Sequence, residues 1–353
     1  MKSDVYFVKT DSSDIKQRVS ALMRLLEQAN PFSAYKKDEL IPIKLTIGDS
    51  PCVYNLKPEL AKAVVSVIKK QGAKPFFFDT CVIYKGERQN AVDYLTLVQN
   101  KGFGHSKTGA PFIIADGLFG QDGKESALAS ENINKIRVPS FIGMLDNLVV
   151  LSHATGHIVS GFAGALKNVA MGMSARATKQ VQHSSLKPSV IQEKCTACGC
   201  CIAVCPVSAI SFKENKAFIA QNLCLGCGEC LCACKFNAIF INWHEEPLVF
   251  CKRMVEVANF ILPKFKHKFF ITFALDITKE CDCMSTKDDK MLSENLGILA
   301  SYDIVSLDKA TADLAYKIKK SDFLSDTKDV YEAMFEYAAR KGLGNLEYNL
   351  INI

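Results

Sequence analysis

Apolar positions along this chain change their period several times, and each change marks an element. From Asp14 to Ala29, residues Ile15, Val19, Leu22, Leu25 and Leu26 recur at helical spacing. Ile41–Gly48 is a β-rich run that ends at a turn. Lys57–Lys70 returns to helical spacing, with Gly72 placed to end the helix. Pro75–Thr80 reads as a buried strand and Arg88–Lys101 as a helix stopped at Gly102. Pro111–Asp116 and Leu148–Ser152 read as further short buried strands. Helices alternating with short apolar strands predict an α/β domain with a largely parallel sheet.

The alternation stops near Ser189, and Glu193–Asn242 is short, loop-rich and dense in cysteine. It then resumes: Leu248–Leu262 is helical, Phe269–Ile277 is a strand, and Ile304–Lys320 and Val330–Lys341 are largely helical. The simplest organisation is one α/β host domain, residues 1–188 and 244–353, interrupted by an α+β ferredoxin-like module at 189–243. Two separate domains flanking the module are the alternative.

The interruption carries the chemistry. Cys195, Cys198, Cys201 and Cys205 form a C-x2-C-x2-C-x3-C run followed by Pro206, and Cys224, Cys227, Cys230 and Cys234 repeat it. The offset is 29 residues, and Ala209 and Ile210 recur at that offset as Ala238 and Ile239. Three thiolates at x2 spacing let one tight loop hold three corners of a cubane, while the fourth cysteine of each run ligates the other cluster. Two [4Fe–4S] clusters are therefore expected. The first would use Cys195, Cys198, Cys201 and Cys234, the second Cys224, Cys227, Cys230 and Cys205. Zinc knuckles are the competing reading, but they usually join two C-x2-C pairs across a longer gap. Lys235 stands where the pattern often has proline, a tolerable departure. Cys200 and Cys232 do not recur in the partner half and read as small buried residues.

Composition narrows the setting. The 353 residues include 15 cysteines, and 48% are hydrophobic, which is enough for a sizeable core. Met1–Thr10 holds Lys2, Asp4 and Lys9 and no apolar leader core, so a cytoplasmic protein is expected, and metal binding outweighs disulfides. The longest uncharged run, Asn147–Leu166, contains His153, His157 and three glycines, and reads as strand and loop instead of a membrane span. A net charge of +6 invites a nucleic-acid reading, but the lysines are scattered and no basic stripe is interleaved with aromatics.

The whole chain resembles a domain-of-unknown-function family numbered 362, often described as an uncharacterised Fe–S center protein. The resemblance rests on KPFFFDT (Lys74–Thr80), GAPFIIADGL (Gly109–Leu118), LSHATGHIVSGFAGALKN (Leu151–Asn168) and the double cysteine run. ECDCMS (Glu280–Ser285) and GILASYDIVSLDKATADL (Gly297–Leu314) complete it. It implies the inserted-ferredoxin architecture and names no reaction.

Two stretches of the host follow buried strands, where α/β sheets bind ligands. The first supplies His153, His157, Lys167 and Asn168 as candidates to hold an anion or a metal. Its Gly161-x2-Gly164-x2-Lys167 spacing is neither a P-loop nor a GxGxxG turn. The second supplies Cys281, Asp282 and Cys283, a C-x-C pair suited to a soft metal or a redox dithiol, with Asp276 nearby. The bland readings are strand-capping histidines, a solvated Lys167 and two structural thiols. His183 lies just before the insert, while Cys52, Cys81 and Cys251 read as core residues.

The expected activity is one-electron transfer in an anaerobic setting, with the module feeding a redox site in the host. The alternatives are a non-catalytic electron carrier or a metal-cofactor maturation factor. A redox partner protein is expected, with a small-molecule substrate in the enzyme reading. The two strand-end stretches are expected to share one cleft beside the module.

Overall fold

In a computed structural model, residues 2–183, 187–241, 246–292, 294–318 and 327–353 are described. The expected module end at 242–243 and helix end at 319–320 lie outside them. Eight strands form one sheet. Their order is Tyr348–Asn352, Ser3–Lys9, Gly297–Ser301, His267–Ala274, Asn147–His153, Leu40–Lys44, Lys74–Asp79 and Phe112–Ile114. Every neighbouring pair is parallel except the two made by Gly297–Ser301, so this strand alone runs against the rest. The mixed α/β architecture with a largely parallel sheet is as expected.

Each face of the sheet is covered by its own apolar core. Ile41, Ile43, Phe77, Val149 and Leu151 pack with Leu60 and Val64 on one side. Phe78, Leu148 and Val150 pack with Ala165, Leu166 and Val169 on the other. All seven residues of Asn147–His153 are buried, which is why this central strand reads as a continuous apolar run. The helix after Leu40–Lys44, Pro58–Lys70, thus lies on the opposite face from Ala165–Ala170, the helix after Asn147–His153. These two adjacent strands feed opposite faces, so a crevice opens between their carboxyl ends.

Strands on both sides of the cysteine-rich segment join this one sheet. The segment itself has a separate small core, including Ile210, Ala217, Ile219, Ala238 and Ile239. Its duplication is structural. Ser189–Val190 pairs with Ile239–Phe240 and Ile210–Lys213 with Lys216–Ile219, all antiparallel. The helical turns Cys200–Ala203 and Glu229–Ala233 begin 29 residues apart. Among the described residues, no helix is long and apolar enough to cross a membrane.

Three strands differ from expectation. Ser3–Lys9, Gly297–Ser301 and Tyr348–Asn352 were not signalled as strands by period. The first and last lie at one end of the sheet with mixed exposure, so no clean alternation marks them. The helix expected from Arg88 starts at Ala91, where Asn90 accepts a hydrogen bond from Asp93 N (3.0 Å). Arg88 is instead drawn inward to Asp49 and Thr46.

One distant contact sets the position of Ala165–Ala170. Asp308 is fully buried on helix Ile304–Ile318 and accepts from Ala165 N (2.7 Å) and Leu166 N (2.8 Å). Gly164 makes room for it, since a Cβ there would stand 2.4 Å from Asp308 Oδ1. An Asp308→Ala variant should lose about 2 kcal/mol in urea unfolding, because two helix-terminal N–H groups lose their acceptor. Asp308→Asn, which keeps one acceptor, should lose less.

Candidate functional site

Four parallel strands end at one edge, and their last residues or following loops line a cavity of about 90 Å³. That is room for about six waters or a small organic molecule. Lys44 comes from Leu40–Lys44, Asp79 and Thr80 from Lys74–Asp79 and its exit, and His153 from Asn147–His153. Cys281, Asp282 and Cys283 come from the loop after His267–Ala274, and Lys167 and Asn168 from helix Ala165–Ala170. The two strand-end stretches therefore share a cleft.

His153 lies on the cavity wall with both ring nitrogens engaged. Nδ1 meets Asp282 Oδ1 at 2.8 Å and Nε2 meets the Leu275 carbonyl at 2.7 Å. Both partners are acceptors, so the ring donates twice and is an imidazolium. Burial alone would lower its pKa, but the Asp282 carboxylate outweighs this and raises it. Asp282 in turn is held low by His153 against its own desolvation. Such a histidine positions the Cys281–Cys283 loop and has no lone pair for a metal.

His157 is not on the cavity. It stacks on Phe250 (5.5 Å between ring centroids), and its Nδ1 accepts from Ser160 N (3.1 Å). Burial and then Lys167 hold its pKa well below the ordinary value. The candidate role for His157 is thus corrected to that of a neutral core histidine. His183 also packs on Phe250 (5.2 Å between ring centroids), and burial pushes its pKa down to about 4.

Lys167 does not point to solvent. It is half-buried on the cavity wall and hydrogen-bonded to Cys281. Burial would lower its pKa, but Cys281 and then Cys283 beside it raise it. Asn168 is a positioning residue. It donates to Leu151 O (2.9 Å) and Ser152 Oγ (3.1 Å) and accepts from Lys44 Nζ (2.6 Å).

Three cationic cavity residues, Lys44, Arg88 and Lys179, were not among the candidates read from the sequence. Lys44 has no exposed surface, and its ammonium contacts Asp79 Oδ1 (3.1 Å) and Leu45 O (2.9 Å) besides Asn168. Burial brings its pKa down to about 8, opposed by Asp79. Lys179 reaches Thr80 Oγ1 at 2.5 Å, and Arg88 holds Asp49 (3.1 Å). A lysine as the last residue of an otherwise apolar strand is the one signal that could have found Lys44. With Lys167, these make four lysine and arginine cations on the wall, beside the His153 imidazolium, against the carboxylates of Asp79 and Asp282.

The cysteine-rich unit docks on this edge. Arg176 has no exposed surface and pairs with Glu229, and its Nη2 lies 3.6 Å from Cys232 Sγ. Cys232 Sγ also faces Ile83 O (3.8 Å), one residue beyond the cavity-lining Val82. Cys232 is buried as expected, whereas Cys200 is only half-buried. Cys52, Cys81 and Cys251 are buried, but Cys52 lies 3.8 Å from Asp282 and the Cys81 carbonyl accepts from Lys179, so two of the three touch cavity-lining residues.

Within the unit, two cavities are ringed by cysteine. One is lined by Cys195, Cys198, Cys201 and Cys234, with Cys200 beside them, and the other by Cys205, Cys224, Cys227 and Cys230. Backbone N–H groups point at the sulfurs in matched pairs: Ala209 N to Cys205 and Ala238 N to Cys234, each at 3.2 Å. Among the described residues, no three His, Cys, Asp or Glu side chains converge closely enough to hold a single metal ion.

The imidazolium assignment has a measurable consequence. In ¹⁵N NMR His153 should remain doubly protonated at pH values above the ordinary histidine range, while His157 and His183 should be neutral there. Because the folded pKa of His153 is raised, its contribution to stability is complete below about pH 6.5 and lost as pH rises through the folded value. A His153→Gln variant should lack that component of the pH–stability profile.

No curated protein matches the chain. A crystal structure of a protein from Thermotoga maritima superposes with a TM-score of 0.45 at 11% identity, covering 94% of this chain and 60% of that one. The lactate racemase apoprotein from Thermoanaerobacterium thermosaccharolyticum gives 0.35 at 11% identity, covering 78% of this chain and 51% of that one. The chain thus spans between half and two thirds of these proteins. The family model described as a domain of unknown function, DUF362, matches residues 41–313, and the chain belongs to that family.

Proposed function

We propose that residues 189–243 are a ferredoxin-type module with two [4Fe–4S] clusters, and that the protein passes single electrons from it to a redox site in the host cleft. One observation carries the reading. Each of the two cysteine-ringed cavities draws three ligands from one run and the fourth from the other. This crossed set is what a two-cluster ferredoxin requires. Clusters bound there would supply one-electron transfer.

The donor set fits the group. A cubane keeps its thiolates apart around its corners, and each ring of four cysteines lines its own cavity. The N–H groups aimed at Cys205, Cys234, Cys195 and Cys224 would tune the potential of bound clusters.

The cleft supports an acceptor in the same molecule. The second cysteine ring is separated from the cleft by Arg176 and the Cys81–Ile83 segment. A carrier that only docks a partner has no need of a cation-lined cavity with two thiols at that place. The four wall cations favour a small anionic occupant.

Anaerobically prepared protein should hold about eight irons and eight acid-labile sulfides per chain. Cys234→Ala should damage the cluster that otherwise rests on Cys195, Cys198 and Cys201, and EPR should show the other largely intact. A zinc-only preparation under strict anaerobiosis, or damage confined to the cluster of Cys224, Cys227 and Cys230, would sink the reading.

A further inference from the structure

We propose that Cys281 and Cys283 are a redox-active dithiol that collects two electrons one at a time and uses them to reduce a small anionic disulfide in the cleft. The proposal rests on the electron-transfer reading above and names its acceptor.

Geometry carries it. The two cysteines sit on one tight turn, closed by Met284 N and Ser285 N donating to Cys281 O (both 2.9 Å), and both line the cavity. Cys281 is buried and Cys283 half-buried, and both face the cavity. A metal is disfavoured as their partner. His153 has both nitrogens committed, and no third His, Cys, Asp or Glu converges on the pair among the described residues.

The surroundings separate the two thiols. The hydrogen bond from Cys283 and then the Lys167 ammonium hold the Cys281 pKa well down against burial. The same hydrogen bond, with burial, pushes Cys283 up. One member is therefore a thiolate ready to attack and the other a thiol that keeps its proton until needed.

The cycle balances. Cys281 thiolate attacks one sulfur of the substrate disulfide, so a Cys281–substrate S–S bond forms, the substrate S–S bond breaks, and one half leaves as a thiolate. Cys283 gives its proton to that thiolate and displaces the second half, which closes the Cys281–Cys283 disulfide. Two electrons arriving through the module break this bond. One proton restores the Cys283 thiol and another protonates the second product. The net reaction is one disulfide plus two electrons and two protons to two thiols. Lys44, Lys167, Lys179 and Arg88 select an anionic substrate.

The test uses the full, cluster-loaded chain under anaerobiosis. Protein poised across dithiothreitol redox ratios is alkylated and mapped by mass spectrometry. A peptide with Cys281 and Cys283 joined should appear at oxidising ratios and vanish at reducing ones. If both cysteines stay thiols across the range, or pair with other cysteines, the proposal is overturned. In reduced protein, iodoacetamide should modify Cys281 before Cys283 near neutral pH, and Lys167→Met should slow this at least several-fold. An unchanged rate would remove Lys167 from the mechanism and overturn the stated activation. Dithionite-reduced protein should reduce 3,3′-dithiodipropionate faster than its neutral diamide, and Cys281→Ser should abolish both reactions. Equal rates would overturn the anionic assignment. Iron and sulfide counted on the same sample keep the two readings apart. Normal iron without dithiol titration defeats this proposal alone, and dithiol titration without iron defeats the cluster reading.

Discussion

A lysine ammonium cannot leave water without partners, and the cleft is arranged around meeting that requirement for Lys44. Its Nζ sits among Asp79, Asn168 and the Leu45 carbonyl, so strands Leu40–Lys44 and Lys74–Asp79 and helix Ala165–Ala170 meet at one atom. Gly172 is part of the same device, because a Cβ there would stand 2.4 Å from that nitrogen. Asn168 then ties the network back to Leu151 and Ser152 of the central strand. Removing one partner from such a buried charge costs about 3–5 kcal/mol. The edge of the sheet is therefore rigid where a ligand would sit.

The second organising feature is the joint between host and cysteine-rich unit. Arg176 begins helix Arg176–His183, and the unit follows that helix in the chain. The same arginine reaches across to Glu229 and Cys232, so the chain connection and the docking contact share one residue. Gln180 on this helix stands against Gly226, where a Cβ would meet its Oε1 at 2.2 Å. The two halves of the unit are alike in pairing and in N–H···S contacts but differ in surroundings. The Cys224–Cys230 side faces the host, while Cys198 is exposed at the far side. In the proposed electron-transfer reading, electrons would enter at the exposed side and travel toward the cleft.

Among the candidate residues, hydrogen bonding decided the roles. His153 and His157 are four residues apart and equally buried, yet one is held charged by Asp282 and the other neutral against Phe250. Lys167 and Asn168 are adjacent on one helix, yet one meets a thiolate and the other a buried ammonium. Residue type alone assigns none of these differences, because each depends on a partner far away in the chain.

The parallel α/β sheet was legible in the sequence because buried strands and amphipathic helices differ in period, and burial imposes that period locally. The duplicated cysteine runs were legible for a similar reason: their spacing and 29-residue offset are set within a short stretch of sequence. The strand-end rule also placed His153 and Cys281 near one edge, since parallel strands carry their exits to the same side. Lys44, Arg88 and Lys179 were not legible, because a lone cation in an element normally marks a solvated face. Tertiary structure buried them by bringing Asp79, Asp49 and Thr80 to meet them. It also moved His157 out of the cleft and paired Asp282 with His153 across 129 residues. Sequence period determines which face of an element is apolar, but long-range packing alone decides which polar groups meet inside it.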